Sequence, residues 1–274
     1  MTAAKSLGGA LVLAVLLLGC GSSNGTTTAV APAALGPVVT GKPIPPPKPR
    51  ETIDQAVKRI GATLSSQNCD QINRLTPLSR QYDVCSGLQG FAAVPVTGSA
   101  SYGDGGGVVE YGSGSALRNA ILIVDSDGHY HIPFVDPYNT EPSVETKFAS
   151  QFDGAAQDAV KALRDGDCDA FKRVALTRIG PGSTPNLTCA YLAQSPLTQL
   201  VVRYPQSEPK RLGGNGDYAF YSVSSPEANF TMLMGRESAT GVAPGAPPLP
   251  SDAPEYGFVE AYQTNPTTTG PPPG

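Results

Sequence analysis

One motif occurs twice in this chain, and a chain that repeats itself at that spacing folds as two similar units. Residues 56–75 read AVKRIGATLSSQNCDQINRL and residues 159–174 read AVKALRDGDCDAFKRV. Aligned on Cys69 and Cys168, both copies continue with an aspartate, Asp70 or Asp169. Ile72 or Phe171, then Arg74 or Arg173, then Leu75 or Val174 fall at the same offsets. Each copy meets a second cysteine, Cys85 or Cys189, with Leu88 or Leu192 three residues beyond it. A solenoid would repeat every ~20–50 residues, so this longer period means a duplicated domain.

Composition narrows the function classes. The 274 residues carry 19 Lys and Arg against 23 Asp and Glu, a net charge of -4, with no basic cluster beyond isolated pairs. That removes the electrostatic footprint a nucleic-acid binder needs. There is no Trp, the commonest aromatic anchor of binding sites.

The N-terminus carries an address. Lys5 precedes an apolar run over 7–18, the length of a signal-peptide core and too short to cross a bilayer as a helix. The run ends Leu17-Leu18-Gly19-Cys20, which resembles the lipobox of bacterial lipoproteins. The resemblance implies that the signal peptide 1–19 is removed, that the Cys20 sulfur carries a diacylglyceryl group, and that the new amine is acylated, as with palmitate. Two or three acyl chains hold a protein stably on a membrane. The expected location is the extracytoplasmic face of the cell membrane, with the membrane itself as a partner. Residues 20–50, rich in Ser, Thr and Pro, read as an extended tether.

Two α+β domains are predicted, over 51–140 and 141–265, followed by a disordered tail over 266–274. In the first, Thr52 and Gln55 form a capping box ahead of Ile53, Val57, Ile60 and Leu64 at helical spacing. Asn68 caps a second helix. Strands follow at 91–96, 108–111, 117–124 and 129–135, with turns at 101–107 and at Asp125-Ser126-Asp127-Gly128. In the second, a helix runs over 143–165 and Asp167 caps the helix of Cys168. Strands are read at 198–203, 218–223, 230–234 and 257–263, with a long Ala, Gly and Pro loop over 237–254. Because each cysteine pair recurs within its own unit, the repeat selects disulfides Cys69–Cys85 and Cys168–Cys189 from the three pairings four cysteines allow.

Helices followed by a curved antiparallel sheet in both units resemble the cone-shaped nuclear-transport-factor-two-like fold, over 51–136 and 145–264. The hairpin 117–124 to 129–132 resembles that fold's closing hairpin, and the paired cysteines are similar to those of actinobacterial lipoproteins. The family encloses a cavity between helices and sheet, whose enzymes line it with acidic, His or Tyr residues. A cystatin-like sheet around one helix is the alternative fold.

His129 and His131, the two histidines, are spaced to share a strand face, with Asp125 and Asp127 in the preceding turn. They read as a polar strand face beside an exposed turn rather than as an acid–base or metal cluster. Asp125-x-Asp127-Gly128 lacks the remaining oxygen ligands of a calcium loop. The glycine-rich stretches 103–107 and 213–217 lack the ending of a phosphate loop and read as turns. Asn186 and Asn229 stand in glycosylation sequons. No cofactor, metal or catalytic set emerges. The expected function is a membrane-anchored, non-catalytic binding module for a small apolar ligand or an envelope protein. The alternatives are an envelope spacer or assembly protein, and an isomerase or hydrolase using His129 or His131.

Overall fold

The computed structural model of the protein describes residues 37–77, 85, 96–111, 118–136, 150–176, 189–236 and 254–264. Helix α1 (Ile53–Ser65) opens with the anticipated capping box: the Gln55 amide donates to the Thr52 hydroxyl and the Thr52 amide to the Gln55 side chain. Its apolar stripe buries Ala56, Ile60 and Leu64. Asn68 caps α2 (Cys69–Asn73) through the Gln71 amide. Strands β1 (Val96–Ser101), β2 (Gly106–Tyr111), β3 (Arg118–Val124) and β4 (Tyr130–Asp136) then form an antiparallel meander in sequence order.

The second half repeats this order. Helix α3 (Gln151–Asp165) buries Phe152, Ala156, Val160 and Leu163 and stops at Gly166, whose φ of 67° is the left-handed conformation glycine tolerates. Asp167 caps α4 (Cys168–Val174), as Asn68 caps α2. Two further helices, α5 (Cys189–Gln194) and α6 (Pro196–Arg203), precede a second meander of β5 (Lys210–Gly214), β6 (Tyr218–Ser224), β7 (Asn229–Arg236) and β8 (Tyr256–Gln263). The protein is thus α+β, with two four-stranded antiparallel sheets.

Three boundaries differ from the sequence reading. Residues 198–203, expected as a strand, are helical. Ser195 caps α6 through the Thr198 amide and Pro196 occupies its first turn, while Leu197, Leu200 and Val201 fall on one buried face. The strand that completes the second sheet is β5, whose Lys-Arg-Leu-Gly-Gly has little strand propensity. β1 runs mainly through 97–100, which the sequence reading left without an element, and most of the expected strand at 91–96 lies outside the described residues. So do residues 143–149 of the expected long helix, most of the 237–254 loop and the 266–274 tail.

Alternation along the strands separates three cores. On one face of the first sheet, Ala120, Leu122, Val124, Tyr130 and Ile132 pack against Ile60, Leu64 and Ile72. On one face of the second, Tyr221, Val223, Phe230, Met232 and Met234 pack against Phe152, Val160, Phe171 and Val201. The opposite faces meet each other: Tyr102, Val108, Ile121 and Ile123 join Tyr218, Phe220, Leu233, Val259 and Tyr262 in a third core. Phe258 and Val259, neighbours on β8, point to opposite faces of the sheet, the first into the helical core and the second into the shared one. The layers run helices, sheet, sheet, helices, and the face each sheet turns from its helices is covered by the other sheet.

The two glycine-rich stretches are what let the sheets approach. Tyr102-Gly103 lies directly against Leu212-Gly213, so a Cβ on Gly213 would be driven into the Tyr102 carbonyl oxygen and one on Gly103 into that of Leu212. Gly103 is also left-handed, at φ 68°. A Cβ on Gly106 would meet the Phe220 ring at 2.5 Å. Beside this contact Asn215 Nδ2 donates to the Tyr102 hydroxyl at 2.9 Å, and the Tyr102 and Phe220 rings stack with centroids 6.3 Å apart.

Part of the expected tether belongs to the body. The Arg203 guanidinium donates to the Pro37 carbonyl, the Val39 amide donates to the Tyr204 hydroxyl, Ile44 N donates to Ser225 O, and Arg50 N donates to Gly128 O. The 37–50 segment therefore crosses from the second half to the first. Its prolines offer no amide donors and keep it extended, and the bonds to the body come from the Val39, Ile44 and Arg50 amides and the Pro37 carbonyl.

Cys69 and Cys85 form a disulfide with Cα atoms 5.3 Å apart, tying α2 to the first core. Cys168 is also disulfide-bonded, while the Cys189 side chain lies outside those described. Peptide mapping without reduction should recover Cys69–Cys85, and Cys69→Ala with Cys85→Ala should cost about 3 kcal/mol in chemical unfolding.

The glycine contact makes a second test. Gly213→Ala should destabilise by about 1–3 kcal/mol, lowering Tm by several degrees. Gly154→Ala, in α3 where a Cβ would meet nothing within 4 Å, should be neutral or stabilising by up to ~1 kcal/mol. Calorimetry that ranks the two variants the other way round would refute the packing account.

Candidate functional site

The chain's two histidines sit at the β3–β4 hairpin, and the structure brings both against carboxylates. The turn forms because Asp125 N donates to His129 O at 3.0 Å and Gly128 N to Asp125 O at 2.8 Å, with Gly128 at φ 78°. The Asp127 carboxylate accepts the His129 amide at 2.8 Å. Asp125 is fully buried and accepts the amide of Ser126.

His131 does not lie on an exposed polar face, as the sequence reading had it: it is 4% exposed. Its Nδ1 lies 2.7 Å from the Thr76 carbonyl, which can only accept, so Nδ1 donates. Its Nε2 lies 3.0 Å from Asp127 Oδ2. Both nitrogens are committed to protein oxygens and the ring is sealed, so neither is presented to a substrate for proton transfer. His129 is half-exposed, with Nδ1 3.4 Å from Glu51 Oε1. It stands in the turn rather than in the strand.

Glu51 is the organising residue that sequence reasoning missed. It immediately precedes the Thr52 cap, and its carboxylate accepts from Arg59 Nη2 at 2.6 Å, Arg59 Nε at 3.1 Å and Tyr130 N at 2.8 Å. Arg59 Nη2 also donates to the Tyr130 carbonyl at 2.6 Å. The fork of a single guanidinium thus bridges α1 to β4. The available signal was the i,i+8 pair Glu51 and Arg59, two turns apart; nothing in the sequence points from it to Tyr130.

The electrostatics follow from this wiring. Burial by itself would raise the Glu51 carboxyl, but the hydrogen bonds from Arg59 and the Tyr130 amide, the Arg59 charge and His129 outweigh it and hold the group below its ordinary value. Asp127 behaves the same way: burial pushes it up, and the His129 amide with the two imidazoles pulls it lower. Among the described residues no group of three or more His, Cys, Asp or Glu is arranged to hold a metal ion.

Two further polar groupings lie in the second half. The buried Tyr221 hydroxyl donates to Asp153 Oδ1 at 2.7 Å, with Arg211 3.8 Å from the other carboxylate oxygen. Burial first, then the hydrogen bond and charge of Asp153, push the phenol well above its ordinary range, so it acts as a neutral donor. At the shared core, burial with the nearby Asp217 charge pushes Tyr102 up to about 12. Asn229, in one of the two sequons, is completely buried; its amide donates to Ser222 and it accepts from the Thr264 hydroxyl. The folded chain cannot present it to a glycosyl carrier. Asn186 lies outside the described residues.

Compared with known proteins, the chain matches no family model, and no curated protein matches it in sequence.

The depressed carboxyls set a pH dependence. Their stabilisation is fully present above the ordinary values of 4.5 for Glu51 and 3.8 for Asp127 and is lost as pH falls through the lower folded-state values. Glu51→Gln and Asp127→Asn should each cost about 1–3 kcal/mol at neutral pH. The double variant should lose less further stability on acidification than the parent does. Denaturant midpoints across the acidic range read this directly, and an equal acid slope in both proteins would contradict it.

Proposed function

We propose that the protein is a lipoprotein of the extracytoplasmic membrane face, anchored through Cys20, whose body is a non-catalytic module that binds an apolar ligand or an envelope protein. Each half is taken as a variant of the nuclear-transport-factor-two-like fold, in keeping with its helices, its following meander and the apolar stripe that each helix packs on the sheet. The N-terminal support is the apolar run ending in Leu-Leu-Gly-Cys.

The observation that carries the non-catalytic part is the closure of His131. The residue best placed by sequence to move a proton has both nitrogens bound to the protein's own oxygens. The Glu51–Arg59 pair beside it spends its hydrogen bonds on the backbone of residue 130. This hairpin is wired as a joint between α1 and β4. A role as an envelope spacer draws support from the core that the two halves share, which favours a single stiff block over two swivelling modules.

Phase partitioning in a clouding detergent tests the anchor. Wild type should enter the detergent phase, and Cys20→Ala should move to the aqueous phase, because losing two or three acyl chains removes the membrane affinity. Detergent-phase recovery of the variant equal to wild type would end the lipoprotein reading.

A further inference from the structure

Charge is distributed unevenly along the chain. Lys5, Lys42, Lys48 and Arg50 are the only charged residues before Glu51. The remainder, 51–274, therefore carries 15 basic against 23 acidic residues, a net charge of -8, while 37–50 carries three positive charges and no acid. That cationic segment is laid across an acidic body and held there by the backbone bonds of Pro37, Val39, Ile44 and Arg50.

The same bonds fix how its side chains face. Val38 and Val39 are 59% and 47% exposed, the two exposed large hydrophobics among the described residues. With the Pro37 carbonyl bound by Arg203 and the Val39 amide bound by Tyr204, the backbone faces the protein and both valines face out. Lys42 and Lys48 are exposed further along. An outward apolar pair on the same segment as two exposed lysines is the chemistry that attracts an anionic lipid surface.

Chain length supplies the proximity. Only residues 21–36, which include no charged side chain, separate Cys20 from Pro37. Fully extended they span at most about 55 Å, at ~3.3–3.6 Å per residue. A tether of that order holds the segment at an effective concentration of about a millimolar, at which a surface contact too weak to act alone becomes populated.

We propose that the 37–50 segment, through Val38, Val39, Lys42 and Lys48, is a membrane-docking surface that lays the body against anionic lipid. The inference rests on the lipid anchor at Cys20 proposed above and adds an orientation to it. The anchored protein then lies on the bilayer along this segment rather than swinging free on its tether.

The test uses the full mature chain in vesicles of phosphatidylcholine with phosphatidylglycerol, quenchers being placed in the lipid. A fluorescent unnatural side chain replaces Val38, and in separate samples Lys58 of α1 or Lys161 of α3, both exposed. Quenching at position 38 should exceed that at 58 and 161 severalfold. It should fall when phosphatidylglycerol is omitted and in Lys42→Glu with Lys48→Glu, each lysine being worth about fivefold in partition, or about 1 kcal/mol. Equal quenching at the three positions, or indifference to both the anionic lipid and the lysines, overturns the docking surface while leaving the anchor intact. A blue-shifted but unquenched label at 38 assigns the valines to a protein contact and overturns it equally. An intact mass showing unmodified Cys20 overturns the anchor itself, and the docking with it.

Discussion

The structure depends on the contact of two sheets through glycine. Where Tyr102-Gly103 meets Leu212-Gly213 there is no room for a side chain, and Gly106 gives the Phe220 ring its place. Once the sheets stack there, the central strands are covered on both faces. An antiparallel sheet commonly leaves one face to water. Here one face serves the partner sheet, so the other must be covered by helices, and each half supplies them. The amphipathic stripes of α1 and α3 are the complement of that demand, and the low charge content of the chain follows from it.

The second constraint is electrostatic and local. Glu51, Arg59, Asp127 and His131 join the start of α1, the β3–β4 turn and the end of the proline-rich segment, with Arg50 bound to Gly128 beside them. Charged groups that satisfy backbone donors and acceptors in a half-buried setting stabilise the fold. A histidine with a carboxylate neighbour is an attractive catalytic candidate in any sequence. The second nitrogen decides, and in His131 it is bound to a main-chain carbonyl.

Much of the local architecture is legible in the residues. Thr52, Asn68 and Asp167 are side-chain caps at helix starts, and they cap, because short polar side chains meet orphan amides wherever a helix begins. The Asp125–Gly128 turn reads directly for the same local reason. The strand expected at 198–203 shows the opposite case: Ser195 at the cap and Pro196 in the first turn were a helix-start signal in the residues, and the segment is helical. The shared core had a signal too. Ile121-Leu122-Ile123-Val124 and the run from Tyr218 to Tyr221 do not alternate with polar residues, and an unbroken apolar stretch is one buried on both sides.

By itself the sequence determined what is local: the caps, the helix stripes, the hairpin turn and the pairing of Cys69 with Cys85. Those features depend on residues near one another in the chain, where spacing fixes geometry. Tertiary structure alone decided that two glycine-rich turns would touch, that Glu51 would hold the amide of Tyr130, that His131 would be sealed, and that a proline-rich segment would lie on the body. Each joins residues far apart in sequence, and which distant surfaces meet is settled by the collective burial of apolar area, which no short window of residues encodes.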